Sequence, residues 1–427
     1  MNTPMPSLSP KPPVGAYVGW DWSDEKHDLY VRLPGELKGR HESVSNTPEA
    51  LHGWFQSLPK RFANQRVALC IEASRSALLP IFLQYRDSLE VYWLNPRILA
   101  KYRQTLHPSG AKSDRLDCEL AADLVISHPE KLHRWEPKDI ETAQLSIEVE
   151  QRRQLVDERT ELANRLKSHL KTYFPQALDW VDDDLTVEFA TRFLLRWPTL
   201  QALQASSGAS IRRFLHAHRR RLTTRVEQRL SQLPSRIAVT SDPAFLEPAV
   251  AYTQALVHLL AALHADLRAY DHRIASLTSS HPSFPIVAQL PGAGPVLRAR
   301  LLAALGHDPR RYASACEMST VSGIAPVRKS SGKSSKIVRR IAFPHFLHQT
   351  FIEFAKSSIQ WCPWANRFIA AKQGRGWNFY RAVRALAFKW IRILYALLQS
   401  GAAYDESRLE ASLRIHQSPY AASVGPT

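Results

Sequence analysis

Between Ile140 and Tyr173 the chain runs as one charged segment. In it Leu145, Val149, Val156, Ala163, Leu166, Leu170 and Tyr173 fall on a single stripe of three- and four-residue steps. That period belongs to a long amphipathic helix, and it separates an N-terminal region from a C-terminal one. Arg152 and Arg159 stand on the stripe and oppose a tight two-stranded coil. Two more helical blocks come after it: Ser210 to Gln232, which carries His218-Arg219-Arg220-Arg221, and the Ala/Leu-rich run from Pro248 to Leu277. Residues 140–280 therefore read as all-helical, which fits either a dimerising coiled-coil spacer or a helical bundle.

The N-terminal region has a different period. After a proline-rich tail at 1–13, Val14 to Asp21 reads as a strand and Asp28 to Leu33 as its hairpin partner. Arg66 to Ile71 and Leu89 to Leu94 are short apolar runs suited to buried strands. Helical stretches separate them at Pro48 to Ser57, Ala77 to Tyr85 and Asp114 to Ser127. Strands alternating with helices imply an α/β layer over 14–139.

The region after the helices, 281–400, is mainly α and holds the charge. The whole chain carries +17, and His281 to Ser400 contains 18 Lys and Arg against 3 Asp and Glu. So segregated a surplus points to a polyanionic partner, because cations on a phosphate backbone release condensed counterions. Ala382 to Leu398 is an amphipathic helix, and Lys389 and Arg392 interrupt its apolar run too soon for a membrane span. The tail beyond Tyr404 reads as weakly ordered. Cys70, Cys118, Cys316 and Cys362 lack zinc-site spacing, and the N-terminus lacks the apolar core of a signal peptide, so a cytoplasmic protein is expected.

Two constellations carry chemistry. Asp21, in Gly19-Trp-Asp-Trp-Ser23, and Glu72, in Cys70-Ile-Glu-Ala-Ser74, each end an apolar strand. An acid there is costly to bury without a cation. Asp114 and Asp117 share one face of a helix start, where an N-cap and a favourable first-turn charge account for the pair when it is taken alone. Four convergent carboxylates repel unless divalent cations neutralise them, and hard oxygen ligands select Mg²⁺ or Mn²⁺.

The second constellation lies in the basic region. Leu290-Pro-Gly-Ala-Gly-Pro295 precedes a helix from Val296 to Leu305, and its Gly292 and Gly294 suit close approach to a phosphate as well as a tight turn between packed helices. Ser322-Gly-Ile-Ala-Pro326 leads into Val327-Arg-Lys-Ser-Ser-Gly-Lys-Ser-Ser-Lys336, a polar loop with the composition of a solvated linker. Read functionally, a serine there is a nucleophile among Arg328, Lys329, Lys333, Lys336, Arg339 and Arg340, which bind the nucleic acid and stabilise charge. Trp361, Trp364, Trp377, Phe379 and Tyr380 alternate with Arg367, Lys372, Arg375 and Arg381, a mixture suited to stacking and backbone contact, with core packing expected for at least half of the aromatics.

Together these motifs resemble the DEDD transposases of the insertion-sequence one-ten family and the related Piv-type DNA invertases. Asp21, Glu72, Asp114 and Asp117 look like the family's four acids in order. LPGAGPVLRARLLAALG, SGIAPVRKSSGKS and RRIAFPHFLHQTFIEFA look like its C-terminal transposase domain. The resemblance implies a ribonuclease-H-like, Holliday-junction-resolvase-like first domain and carboxylates that hold Mg²⁺. It also implies a C-terminal serine that attacks the phosphodiester to give a covalent phosphoserine link. The family's serine precedes a glycine; Ser330 and Ser331 are both candidates, and counting back from Gly332 favours Ser331. DNA as donor and target, a guide RNA encoded by the element, and homodimers assembling to tetramers are implied in the same way. A junction-resolving nuclease that activates water, and a non-catalytic nucleic-acid-binding protein, share these sequence features.

Overall fold

A computed structural model describes residues 14–72, 78–106, 113–135, 139–221, 223–308, 311–331, 334–338, 340 and 343–416, apart from the side chains at 133, 329 and 334. It divides into two units, Met1–Pro137 and Lys138–Thr427.

The first unit is a mixed sheet between helices. Its elements are β1 (Val14–Asp21), β2 (Lys26–Arg32), β3 (Arg40–Ser45), α1 (Pro48–Arg61), β4 (Arg66–Glu72), α2 (Leu79–Gln84), β5 (Leu89–Leu94), α3 (Pro96–Leu106), α4 (Asp114–Ser127) and β6 (His133–Arg134). The strand order is β3-β2-β1-β4-β5-β6. Strands β1, β4 and β5 are parallel, and β2 and β6 run against their neighbours. Continuous apolar runs in β1 and β4 follow from burial on both faces. On one face Val18, Trp20, Leu69 and Ile71 pack with Trp54, Phe55 and Leu58 of α1. On the other, Ala68 and Cys70 pack with Leu120, Ala121 and Leu124 of α4. Helix α1 starts at Thr47, whose hydroxyl accepts from Ala50 N–H, followed by Pro48 and Glu49, and it ends on Lys60 and Arg61.

The second unit is helical apart from one hairpin. It begins with α5 (Ile140–Tyr173), α6 (Gln176–Trp180), α7 (Glu188–Arg196), α8 (Leu200–Gln204), α9 (Gly208–Ala217), α10 (Thr224–Gln232) and α11 (Pro243–Ser280). It continues with α12 (Phe284–Ala288), α13 (Pro295–Leu305), α14 (Ala315–Val321), β7 (Val327–Ser331), β8 (Ser334–Val338), α15 (His345–Trp361), α16 (Pro363–Gly374), α17 (Phe379–Ser400) and α18 (Glu406–Ile415). The apolar stripe of α5 is covered within the same chain. Helix α11 returns antiparallel along it, with Arg273 bound to Glu148, Arg152 to Asp271, and Tyr173 Oη donating to Thr253 Oγ1 at 2.8 Å. Among the described residues α11 is the one helix long and apolar enough to cross a membrane, and it buries Thr253, Leu256, Val257 and Leu260 inside the unit. Helices α6 to α10 fold over the tip of this hairpin around Phe193, Trp197 and Phe214. At its base Leu145, Val149 and Ile274 join the core of α13, α15, α16 and α17, where every residue from Ala299 to Leu305 is buried.

Several elements differ from the sequence reading. Strand β3 and helix α3 were not anticipated. The block from Ser210 to Gln232 is two helices broken after Ala217. The serine-rich segment is a hairpin rather than a loop, and α18 continues the fold beyond Tyr404 as far as Ile415.

Candidate functional site

In the parallel register of β1 and β4, Trp20 lies beside Ile71, so the next residues, Asp21 and Glu72, end adjacent strands. Trp20 and Ile71 face α1, so alternation turns Asp21 and Glu72 to the opposite face, with Gly19 and Cys70. That face is covered by α4. A Cβ built on Gly19 would lie 1.9 Å from the carbonyl oxygen of Cys118, so a glycine is what lets α4 lie this close to β1. Ser113 caps α4 by accepting from Leu116 N–H at 3.2 Å. Asp114 is therefore the first helical residue and is not needed as a cap. It is exposed, whereas Asp117, one turn on, is buried.

Three further groups at this edge were not singled out in the sequence. The Arg103 guanidinium of α3 donates to the Asp117 carboxylate. Asp28 lies opposite Asp21 in the β1–β2 pairing and sits 3.7 Å from Lys26. Cys118 Sγ donates to the Asp28 carbonyl at 3.0 Å. Burial pushes the Cys118 thiol up, and the negative charge of Asp21, then Asp28 and Asp117, adds to it. Three carboxylates thus act on one buried point. Arg103 lies in a helix the sequence did not reveal, whereas the hairpin expected from the sequence, leaving at Asp21 and returning at Asp28, already sets those two acids side by side.

Among the described residues no three His, Cys, Asp or Glu side chains are gathered into a metal-holding group. The donor types nevertheless suit a hard divalent cation, since Asp21, Glu72, Asp114 and Asp117 offer only carboxylate oxygens.

In the second unit, β7 and β8 pair Ser330 with Ser335 and Ser331 with Ser334. Gly332 and Lys333 join them and lie outside the described residues, as does Arg339. Both candidate serines are exposed, on opposite faces of the hairpin. Ser330 Oγ is 3.5 Å from Ser335 Oγ, which also accepts from Arg328 Nε at 2.8 Å. Ser331 Oγ has no hydrogen-bond partner among the described residues, and the exposed Lys336 shares its face. Lys329 pairs with Lys336 through the backbone. Arg340 is half-buried, with its Nε enclosed and unpartnered. Behind the hairpin, Ile324 and Ala325 are buried, and Gly323 (φ +71°) lies against the Phe343 ring.

The glycine turn serves two purposes. Gly292 (φ +75°) packs on α15, where an added Cβ would lie 2.8 Å from Ser357 O. Gly294, at the start of α13, faces open space. Of the aromatics, Trp364 is core, Trp361 and Tyr380 are exposed, and Trp377 is flanked by Lys372 at 4.5 Å and Arg381 at 4.1 Å.

A family model described as "Transposase", of the DEDD type of IS110, matches residues 18–175, and one described as "Transposase IS116/IS110/IS902 family" matches 285–370. The chain is similar to the insertion element IS110 uncharacterized 43.6 kDa protein of Streptomyces coelicolor, at 25% identity over 94% of this chain and 98% of that protein. It is 27% identical to the mini-circle putative transposase for IS117 of the same organism, over 93% and 97%. A 42 kDa protein of the insertion element IS900 from Mycobacterium paratuberculosis is 26% identical over 73% and 78%.

Proposed function

The chain belongs to the IS110 family of DNA transposases, and from that premise we propose that it cuts and rejoins DNA through a carboxylate centre at the β1–β4 edge and a serine of the β7–β8 hairpin. The observation that supports this most directly is the shared edge: Asp21 and Glu72 end neighbouring parallel strands on the face covered by the first turns of α4. The sheet order, with β2 and β6 reversed, supports a ribonuclease-H-like reading of the first unit.

Asp21, Glu72, Asp114 and Asp117 would hold Mg²⁺ or Mn²⁺, which when bound neutralises charge on the phosphodiester. Arg103 keeps the Asp117 carboxylate in place, and Gly19 sets the height of α4 over the strand end. In the hairpin, Ser331 Oγ attacks phosphorus and loses its proton, and one ester oxygen of the DNA leaves as a hydroxyl. Attack by a DNA hydroxyl on the phosphoserine reverses the step and frees the serine. Lys336, on the face of Ser331, and Arg340 supply positive charge for the phosphate, whereas Arg328 lies on the face of Ser330. Ser330 is the neighbouring alternative, already engaged with Ser335.

A guide RNA encoded by the element, a dimer that assembles to a tetramer, and action in the cytoplasm belong to the same reading and rest on the family resemblance. Incubation with end-labelled DNA in Mg²⁺ tests the chemistry. A protease-sensitive covalent adduct that is lost in Ser331→Ala or Ser330→Ala is expected. Cleavage to free ends without an adduct would replace this reading with a water-using nuclease.

A further inference from the structure

The turn between α9 and α10 lies in the stretch between the two spans matched by the family models. Helix α9 ends there in a Schellman arrangement: Arg219 N–H donates to His216 O at 2.9 Å and Arg220 N–H to Leu215 O at 2.9 Å. Arg219 thereby takes φ +53°, the left-handed conformation that glycine adopts freely and a residue with a Cβ adopts at a cost of about 1 kcal/mol. An arginine held where glycine would serve the fold better points to a use for its side chain.

The surrounding charges sort into two groups. Between Gly208 and Arg236 there are eight arginines and one carboxylate, Glu227. Arg212 binds Glu227 across the two helices at 2.6 Å, Arg220 and Arg229 share Asp182, and Arg220 lies over the Phe189 ring at 4.8 Å. These interactions fasten the turn. Arg213, Arg219, Arg221 and Arg225 are exposed and have no carboxylate partner among the described residues. The aromatics beside them, Phe189 and Phe214, are buried, so the surface offers guanidinium groups and no stacking platform for unpaired bases.

We propose that this turn is a docking surface for duplex DNA, on which Arg213, Arg219, Arg221 and Arg225 bind phosphates without reading sequence. Guanidinium forks match phosphate geometry, and backbone contacts of this kind position a protein on a duplex. The proposal builds on the DNA substrate of the family and is independent of the serine chemistry.

Fluorescence anisotropy with the full chain and a duplex of unrelated sequence, over a series of salt concentrations, tests it. For R213Q/R219Q/R221Q/R225Q the dissociation constant should rise at least about tenfold near 0.15 M salt. The slope of log K against log salt should shrink by about 0.9 for each phosphate that the variant no longer neutralises. The four lysine replacements should retain most of the binding. Arg219→Gly alone separates use from fold: its thermal midpoint should hold or rise while affinity falls. Unchanged duplex affinity and slope in the quadruple variant would overturn the proposal, as would a loss confined to a hairpin RNA. Ser331→Ala should leave this binding intact, so failure of the nucleophile reading is read separately.

Discussion

Gly19 lies directly beneath Cys118: a Cβ on Gly19 would come within 1.9 Å of the Cys118 carbonyl oxygen and 2.8 Å of Ala122 N. Both obstacles are backbone, so Gly19→Ala must lift α4 from β1. Overpacking of this kind costs about 1–3 kcal/mol, and it moves Asp114 and Asp117 away from Asp21. Urea denaturation should show that loss, and Mg²⁺-dependent DNA cleavage should fall further than the unfolded fraction explains. Gly53→Ala is the control, since nothing lies within 4 Å of its Cβ in α1, and it should stabilise by about 0.5–1 kcal/mol. Equal behaviour of the two variants would discount the Gly19 contact.

Arg103 and Asp117 are mostly buried, with side chains 16% and 11% exposed. Arg103→Ala leaves a carboxylate without its cation, at a cost of about 1–2 kcal/mol once residual solvent is allowed for. Millimolar Mg²⁺ should restore more stability to Arg103→Ala than to the wild type, and EDTA should remove the gain. A thermal midpoint for Arg103→Ala that ignores Mg²⁺ would argue against Asp117 as a ligand.

The two glycines of the 290–295 turn should separate fold from function. Gly292→Ala meets Ser357 O and an unfavourable φ, and should destabilise by about 2 kcal/mol or more. Gly294→Ala has φ −65° and open space, so it should lose only the preference for glycine over alanine at an N-cap, about 0.5–1 kcal/mol. If the start of α13 approaches a phosphate, Gly294→Ala weakens DNA binding all the same, and anisotropy measures it directly.

His27 is fully buried in β2, with Nε2 3.2 Å from Asn46 Oδ1 and Nδ1 unpartnered. Desolvation lowers its pKa below 6.5, against smaller raising effects from Asn46 and Asp28. The unfolded chain therefore binds the proton first as pH falls. Stability should decline from about pH 6.5 down to the folded pKa and then level off. The difference between wild type and His27→Gln, followed by thermal unfolding between pH 7.5 and 5, should carry this slope. Parallel curves would remove His27 as its source.

The sequence revealed elements whose burial matches their period. Strands β1 and β5, helix α4 and helix α5 have the bounds expected from their apolar patterns. Strand β3 was hidden because only Val44 in RHESVS is buried, and α3 because Leu99 alone is. The serine hairpin alternates polar with basic residues, so its pairing leaves no apolar trace. The break after α9 falls on Arg219, where no glycine marks it. Asp21 and Glu72 stood out because acids in apolar strands are anomalous. Their neighbours Arg103, Asp28 and Cys118 are ordinary residues until the sheet and α4 bring them together.

Thr142 Oγ1 and His281 Nε2 lie 2.8 Å apart, although 139 positions separate them. The chain thus departs and returns at one fastening point, and everything between is an arm attached by both ends. Above Val149 and Ile274, which belong to the basal core, such an arm can be shortened, lengthened or given a different tip without redrawing the core from which it springs. A transposase built this way can change what it grasps at the end of the arm while its base stays as it is.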